Sequence, residues 1–126
     1  MGVREGHVRV GDTVAVFGLG AIGLMAVRLA KISGALKIVG VEPFERRRRL
    51  AETYGADVTL DPFESDVGLQ IKQITEGKGV DISIEASGSY SALHQAIRST
   101  RYGGTIVPVS WYHGEAKGLN LGEEWH

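Results

Sequence analysis

Gly18, Gly20 and Gly23 follow the apolar run Val14-Ala15-Val16-Phe17 directly, in the spacing Gly-x-Gly-x-x-Gly. Glycines at this spacing, between a run the length of a buried strand and a stretch with helical apolar period, suit phosphate binding by backbone alone. Gly18 permits a tight turn, Gly20 lets the backbone approach a pyrophosphate, and Gly23 lets the helix pack closely on the strand. The first N–H groups of such a helix have no partner within it, and the helix dipole adds partial positive charge there. The anion site therefore needs no basic side chain. Leu19, Ala21 and Ile22 complete the turn and belong to the same candidate site.

Glu42 ends a second apolar run about 20 residues beyond Gly23, where a carboxylate can accept hydrogen bonds from an adenosine ribose. Glycine turn and carboxylate together predict a dinucleotide site. Glu42 favours NAD, because a 2′-phosphate beside it would meet like charge whereas a free hydroxyl is a donor. The run Arg46-Arg47-Arg48-Arg49 leaves NADP open. It reads either as a solvated helix face balanced by Glu42, Glu45 and Glu52, or as the source of an arginine that reaches the ribose or its phosphate.

The elements that must position these residues alternate along the chain. After the strand at 14–17, the apolar residues Ile22, Met25, Ala26, Leu29, Ala30 and Ile32 recur at helical spacing, and Gly34 stands where a C-terminal cap belongs. A strand over 36–41, a helix over 44–54 closed by Gly55, and a short strand at 58–60 follow. Val67, Leu69, Ile71 and Ile74 support a helix, and Val80, Ile82 and Ile84 a fourth strand whose Asp81 and Ser83 imply one less buried side. A helix over 91–98 is broken by Gly103-Gly104, and residues 105–109 make a fifth strand. This alternation predicts an α/β fold: a Rossmann-type, doubly wound parallel sheet of about five strands, in the order 3-2-1-4-5 with a sixth missing. Ala86, Ser87 and Gly88 then lie at the switch point, as small residues that leave room for the cofactor or as a plain turn, and Val109 with Ser110 form either a backbone wall for the nicotinamide or a simple strand end. The free edge of the fifth strand invites a homodimer or coverage by the polar tail.

Composition excludes several classes. Lys plus Arg number 14 against 15 for Asp plus Glu, so no global charge points to nucleic acid. There is no cysteine, hence no disulfide and no thiolate metal site. His7, His94, His113 and His126 have no metal-ligand spacing, and His94 reads as a surface or packing residue. The apolar runs are too short for a bilayer, and the first residues lack the apolar core of a signal peptide. Glycine at position 6 argues against myristoylation at Gly2. A cytoplasmic protein is expected. No Ser-His-Asp set, Tyr-x-x-x-Lys pair or Walker loop is present, and no catalytic side chain is visible.

The ordered set formed by residues 10–23, Gly55-Ala56-Asp57, Glu85-Ala86-Ser87-Gly88 and Gly103-Gly104-Thr105-Ile106-Val107-Pro108-Val109 resembles the cofactor domain of the zinc-binding medium-chain alcohol dehydrogenases. The resemblance covers about residues 8–122. It implies reversible hydride transfer between an alcohol and a nicotinamide cofactor, with zinc and the proton relay on a separate N-terminal domain. On that reading the 126 residues are a fragment, inactive alone. The resemblance assigns the pyrophosphate to residues 18–23 and the adenosine ribose to Glu42, with Arg47 assisting. It sets Ala86, Ser87 and Gly88 beside the cofactor and Val109 and Ser110 along the nicotinamide. Pro108 removes a backbone donor and suits an edge strand. Two rivals remain: a stand-alone nucleotide-sensing module and an S-adenosylmethionine-dependent methyltransferase.

Overall fold

The computed structural model describes residues 8–109. Five strands alternate with four helices: β1 (Thr13–Phe17), α1 (Ala21–Ile32), β2 (Lys37–Val41), α2 (Glu45–Tyr54), β3 (Val58–Leu60), α3 (Val67–Ile74), β4 (Val80–Glu85), α4 (Tyr90–Ser99) and β5 (Thr100–Pro108). All pairings are parallel and the order is β3-β2-β1-β4-β5, as the alternation predicts. Pro108 lies on β5, an edge strand among the described residues, where a missing N–H costs little.

Alternate residues of the central strand serve two cores. Val14 and Val16 face one side, with Val27, Ala30, Ile38 and Ala51; Ala15 and Phe17 face the other, with Val39, Val67, Ile71 and Ala96. Helices α1 and α2 therefore cover one face and α3 and α4 the other. The near-continuous apolar runs of β1 and β2 reflect burial on both sides. The Gly55-Ala56-Asp57 segment ties β3 to this arrangement. The carboxylate of Asp57 accepts the N–H of Ile38 at 2.8 Å, and the N–H of Asp57 donates to the carbonyl of Ile38 at 2.8 Å.

Three expectations are corrected. The apolar stripe of α1 is not the one the spacing suggested: Gly23, Ala26, Val27 and Ala30 are buried, while Ile22, Met25 and Ile32 are exposed. Gly23 presses α1 against the glycine turn, so the small i, i+3, i+4, i+7 face meets the sheet and the bulkier residues turn outward. Ser83 is fully buried rather than lying on a less covered side; its hydroxyl shares a 2.7 Å hydrogen bond with that of Thr100, which also donates to the carbonyl of Ala96. Gly103 and Gly104 lie inside β5 and do not separate helix from strand, because α4 ends at Ser99 and β5 starts at once. The register jumps from Val80↔Thr100 to Ile82↔Thr105, so residues 101–104 stand opposite Asp81 alone, with Tyr102 fully exposed. A Cβ on Gly104 would stand 2.8 Å from the carbonyl oxygen of Asp81, so only glycine fits there.

Asp81 anchors the end of the sheet opposite the glycine turn. One carboxylate oxygen accepts the N–H and hydroxyl of Thr13 at 2.8 and 3.1 Å, and the other accepts Arg101 Nε at 2.6 Å. Burial pushes its pKa up, but the Thr13 hydrogen bonds and the Arg101 guanidinium together outweigh that and hold it below the ordinary aspartate value. A carboxyl depressed on folding stabilises the protein above its unfolded pKa and loses that contribution as pH falls through the folded one. Asp81→Asn is expected to lower unfolding free energy by about 1–2 kcal/mol at pH 7. Below about pH 4 its difference from wild type should shrink. Urea melts at pH 7 and pH 3 check this; a deficit independent of pH would contradict it.

Candidate functional site

The C-terminal ends of β1 and β4, adjacent strands at the switch in strand order, border a cleft of about 520 Å³. Gly18, Gly20, Glu42, Arg47, Ala86 and Ser87 line it. The glycines divide their tasks. Gly18 has φ +96°, and a Cβ there would stand 2.8 Å from the backbone of Ser87. A Cβ on Gly23 would stand 1.7 Å from the carbonyl oxygen of Gly18, so the close approach expected between helix and strand is an approach between helix and turn. At Gly20 a Cβ would meet nothing within 4 Å and would enter the open cleft. Gly20 is also the N-cap of α1, without a side-chain cap and without an acidic residue in the first turn. The leading amides of the helix thus have neither a side-chain cap nor a first-turn carboxylate to offset the positive end.

Glu42 is 3% exposed, yet its carboxylate is at the cleft wall. Oε1 accepts the N–H of Leu19 at 2.8 Å and Oε2 that of Phe44 at 3.2 Å. The carboxylate therefore clamps the glycine turn as well as facing the cleft. Each oxygen has a second lone pair, so a ribose hydroxyl can add to these bonds.

The arginine run is divided by geometry. Arg47, half exposed, stands 3.6 Å from Glu42 with its guanidinium 5.2 Å from the centre of the Phe44 ring. Arg48 donates to the carbonyls of Glu42 and Pro43, both at 2.8 Å, and lies 3.7 Å from Asp61, holding the end of β2. Arg49 pairs with Glu45 one turn away, in solvent, and its guanidinium holds that carboxyl below the usual range. Arg49 thus fits the solvated, charge-balanced face, whereas Arg47 lines the cleft.

Of the remaining candidate residues, Leu19 is fully buried against Gly40 and offers only backbone to the turn. Ala21 and Ile22 are exposed at the start of α1. Gly88 continues the loop after Ser87 with φ +76°, and Val109 packs against the core while its N–H donates to the carbonyl of Glu85. Ser110, along with Trp111, Tyr112, Trp125, His7, His113 and His126, lies outside the described residues; His94 is exposed. Sequence reasoning missed Phe44, Pro62, Phe63 and Gln95, which extend the cleft beyond Glu42. They come from three separate segments, and the exposed aromatic Phe63 after Asp61-Pro62 is the one local signal that could have pointed there.

A family model for zinc-binding dehydrogenases matches residues 21–125. The chain belongs to the zinc-binding dehydrogenase family. Its relatives are oxidoreductases. D-guloside 3-dehydrogenase of Escherichia coli K12 is 49% identical over 125 residues, which are 99% of this chain and 36% of that protein. The alcohol dehydrogenase of Thermus sp. ATN1 superposes with a TM-score of 0.83 at 32% identity, covering 86% of this chain and 32% of the other. A Sinorhizobium meliloti 1021 protein described as a zinc-binding dehydrogenase bound to NADP superposes with a TM-score of 0.80 at 33% identity, covering 97% and 38%. The chain thus spans about a third of the length of these relatives. Among its described residues no three His, Asp or Glu side chains are grouped where they could hold a metal, so these residues offer zinc no ligand set. No helix among them is long and apolar enough to cross a membrane.

Proposed function

We propose that the cleft binds a nicotinamide dinucleotide, with NAD(H) preferred over NADP(H), and that the chain is the cofactor-binding part of a dehydrogenase interconverting an alcohol and a carbonyl compound. The open space at Gly20, beside uncapped helix amides, carries this reading, because a pyrophosphate needs that close backbone approach. When bound, the nicotinamide accepts or donates the hydride. The chain's own part is to orient it. The α1 amides receive the pyrophosphate, and Glu42 receives the adenosine ribose. The loop of Ala86, Ser87 and Gly88 walls the cleft between them, and Val109, with Ser110 beyond it, borders the nicotinamide.

Preference for NAD rests on the near-complete burial of Glu42 and on the engagement of Arg47, Arg48 and Arg49 with other partners. Glu42→Gln keeps an oxygen for the Leu19 N–H and removes the charge. It is expected to shift the NADPH-to-NADH affinity ratio by about tenfold toward NADPH, or about 1.4 kcal/mol. Calorimetric titration of the chain with NADH, NADPH and S-adenosylmethionine tests the reading as a whole. NADH binding strongest in wild type supports it, NADPH strongest reassigns the ribose site to the arginines, and S-adenosylmethionine alone replaces it with the methyltransferase. The outer edge of β5 is proposed to pair with a second copy, which a monomer in sedimentation would refute.

A further inference from the structure

Glu85 closes β4 with no exposed surface, although it is ionisable and does not line the cleft. Its Oε2 accepts the N–H of Ser87 at 2.7 Å and of Gly88 at 3.2 Å, and also the hydroxyl of Ser87. A buried carboxylate is costly unless hydrogen bonds satisfy it, and here the loop that follows it folds back to do so. That loop bears directly on the glycine turn. The backbone of Ser87 occupies the space a side chain on Gly18 would need, at 2.8 Å, so the two segments touch with no side chain between them. The strands are joined at the same level, with the N–H of Ala86 donating to the carbonyl of Phe17 at 2.8 Å.

We propose that Glu85 is a positioning residue for the dinucleotide, acting through Ser87 on the backbone of Gly18 and so on the phosphate-facing amides. The proposal rests on the cofactor reading of the cleft. Two buried carboxylates at the ends of the strands flanking β1 then grip the turn from opposite sides. Glu42, from β2, holds the Leu19 N–H directly, and Glu85, from β4, holds the loop against Gly18. A turn held in this way meets its ligand with the amides already aimed, and the affinity gained is the ordering cost avoided at binding. Packing alone does not need the charge, since an apolar residue of similar volume would fill the space.

The test uses the full 126-residue chain with Glu85→Met and Glu85→Gln, and Asp81→Asn as a variant that weakens folding at the far end of the sheet. Both NADH affinity by calorimetry and residue-resolved amide exchange by NMR are measured. Glu85→Met is expected to raise the NADH Kd by about tenfold or more and to speed exchange at Leu19 and Gly20, with Ile38 and Val39 unchanged. Glu85→Gln, which retains an acceptor for the loop, is expected to recover part of both losses; it carries the test if the Met variant does not fold. Asp81→Asn is expected to lose stability and keep its Kd. If wild type binds and the Glu85 variants match it in Kd and Leu19 exchange, the inference is wrong and the cofactor reading stands. Equal weakening by Asp81→Asn also overturns it, since loss of stability would then explain the effect. A wild type that binds neither NADH nor NADPH overturns the cofactor reading, and this ligand role with it.

Discussion

Gly20→Val is expected to fold with an unfolding free energy within about 1 kcal/mol of wild type, the loss being that of a poorer N-cap. Its NADH affinity should nevertheless fall by about 100-fold, or about 2.7 kcal/mol. The two halves of this result come from the same local geometry. Gly20 has φ −75° and ψ −162°, an extended conformation that any residue adopts, and nothing in the protein stands within 4 Å of an added Cβ. The protein therefore has no steric reason to reject the added Cβ. The space the side chain would enter is the cleft in front of the first amides of α1, and a pyrophosphate bonded to those amides must occupy it. Calorimetry and a urea melt on one preparation read both halves. Wild-type affinity in the variant would remove the phosphate from this turn, and an unfolded variant would show that the space is not open in solution.

Gly23→Ala should behave in the opposite way. In an ordinary helix interior this change gains about 0.5–1 kcal/mol, because alanine has the better helix propensity. Here the new methyl would stand 1.7 Å from the carbonyl oxygen of Gly18, and neither the helix backbone nor the turn can yield by rotating a side chain. Helix and turn must separate, and α1 is the helix that brings Ala26, Val27 and Ala30 to the core. A net destabilisation above about 3 kcal/mol is expected, at the upper end for overpacking. Urea denaturation measures it. Unchanged or increased stability would mean that α1 does not lie as close to the turn as the structure has it. Gly20 thus tests the ligand and Gly23 the fold, from positions three residues apart in one motif.

Much of the architecture was legible because it depends on local periodicity. Apolar runs of strand length, separated by helical patterns, force parallel strands through right-handed crossovers, and the glycine spacing located the turn at the first of them. Glu42 was legible by its distance from that turn, though its grip on the Leu19 amide was not. Boundaries set by packing were harder to read. Gly103-Gly104 signals a break in any local reading, yet a shift of register carries both residues into β5. Ser83 reads as a polar outward position until Thr100, on another strand, supplies a partner for its hydroxyl.

The order of elements, the parallel sheet, the glycine turn and the acidic residue that accompanies it could all be read from the chain. These follow from side-chain period and short-range backbone geometry, which act over a turn or a crossover. Only the packed fold set which face of α1 is buried, how Arg47, Arg48 and Arg49 divide between cleft, strand end and solvent, and that Glu85 is buried beneath the loop of Ser87 and Gly88. Each depends on groups brought together by strand pairing or helix packing, and the free energy of a buried carboxylate or a close backbone contact is set by those neighbours rather than by its own segment.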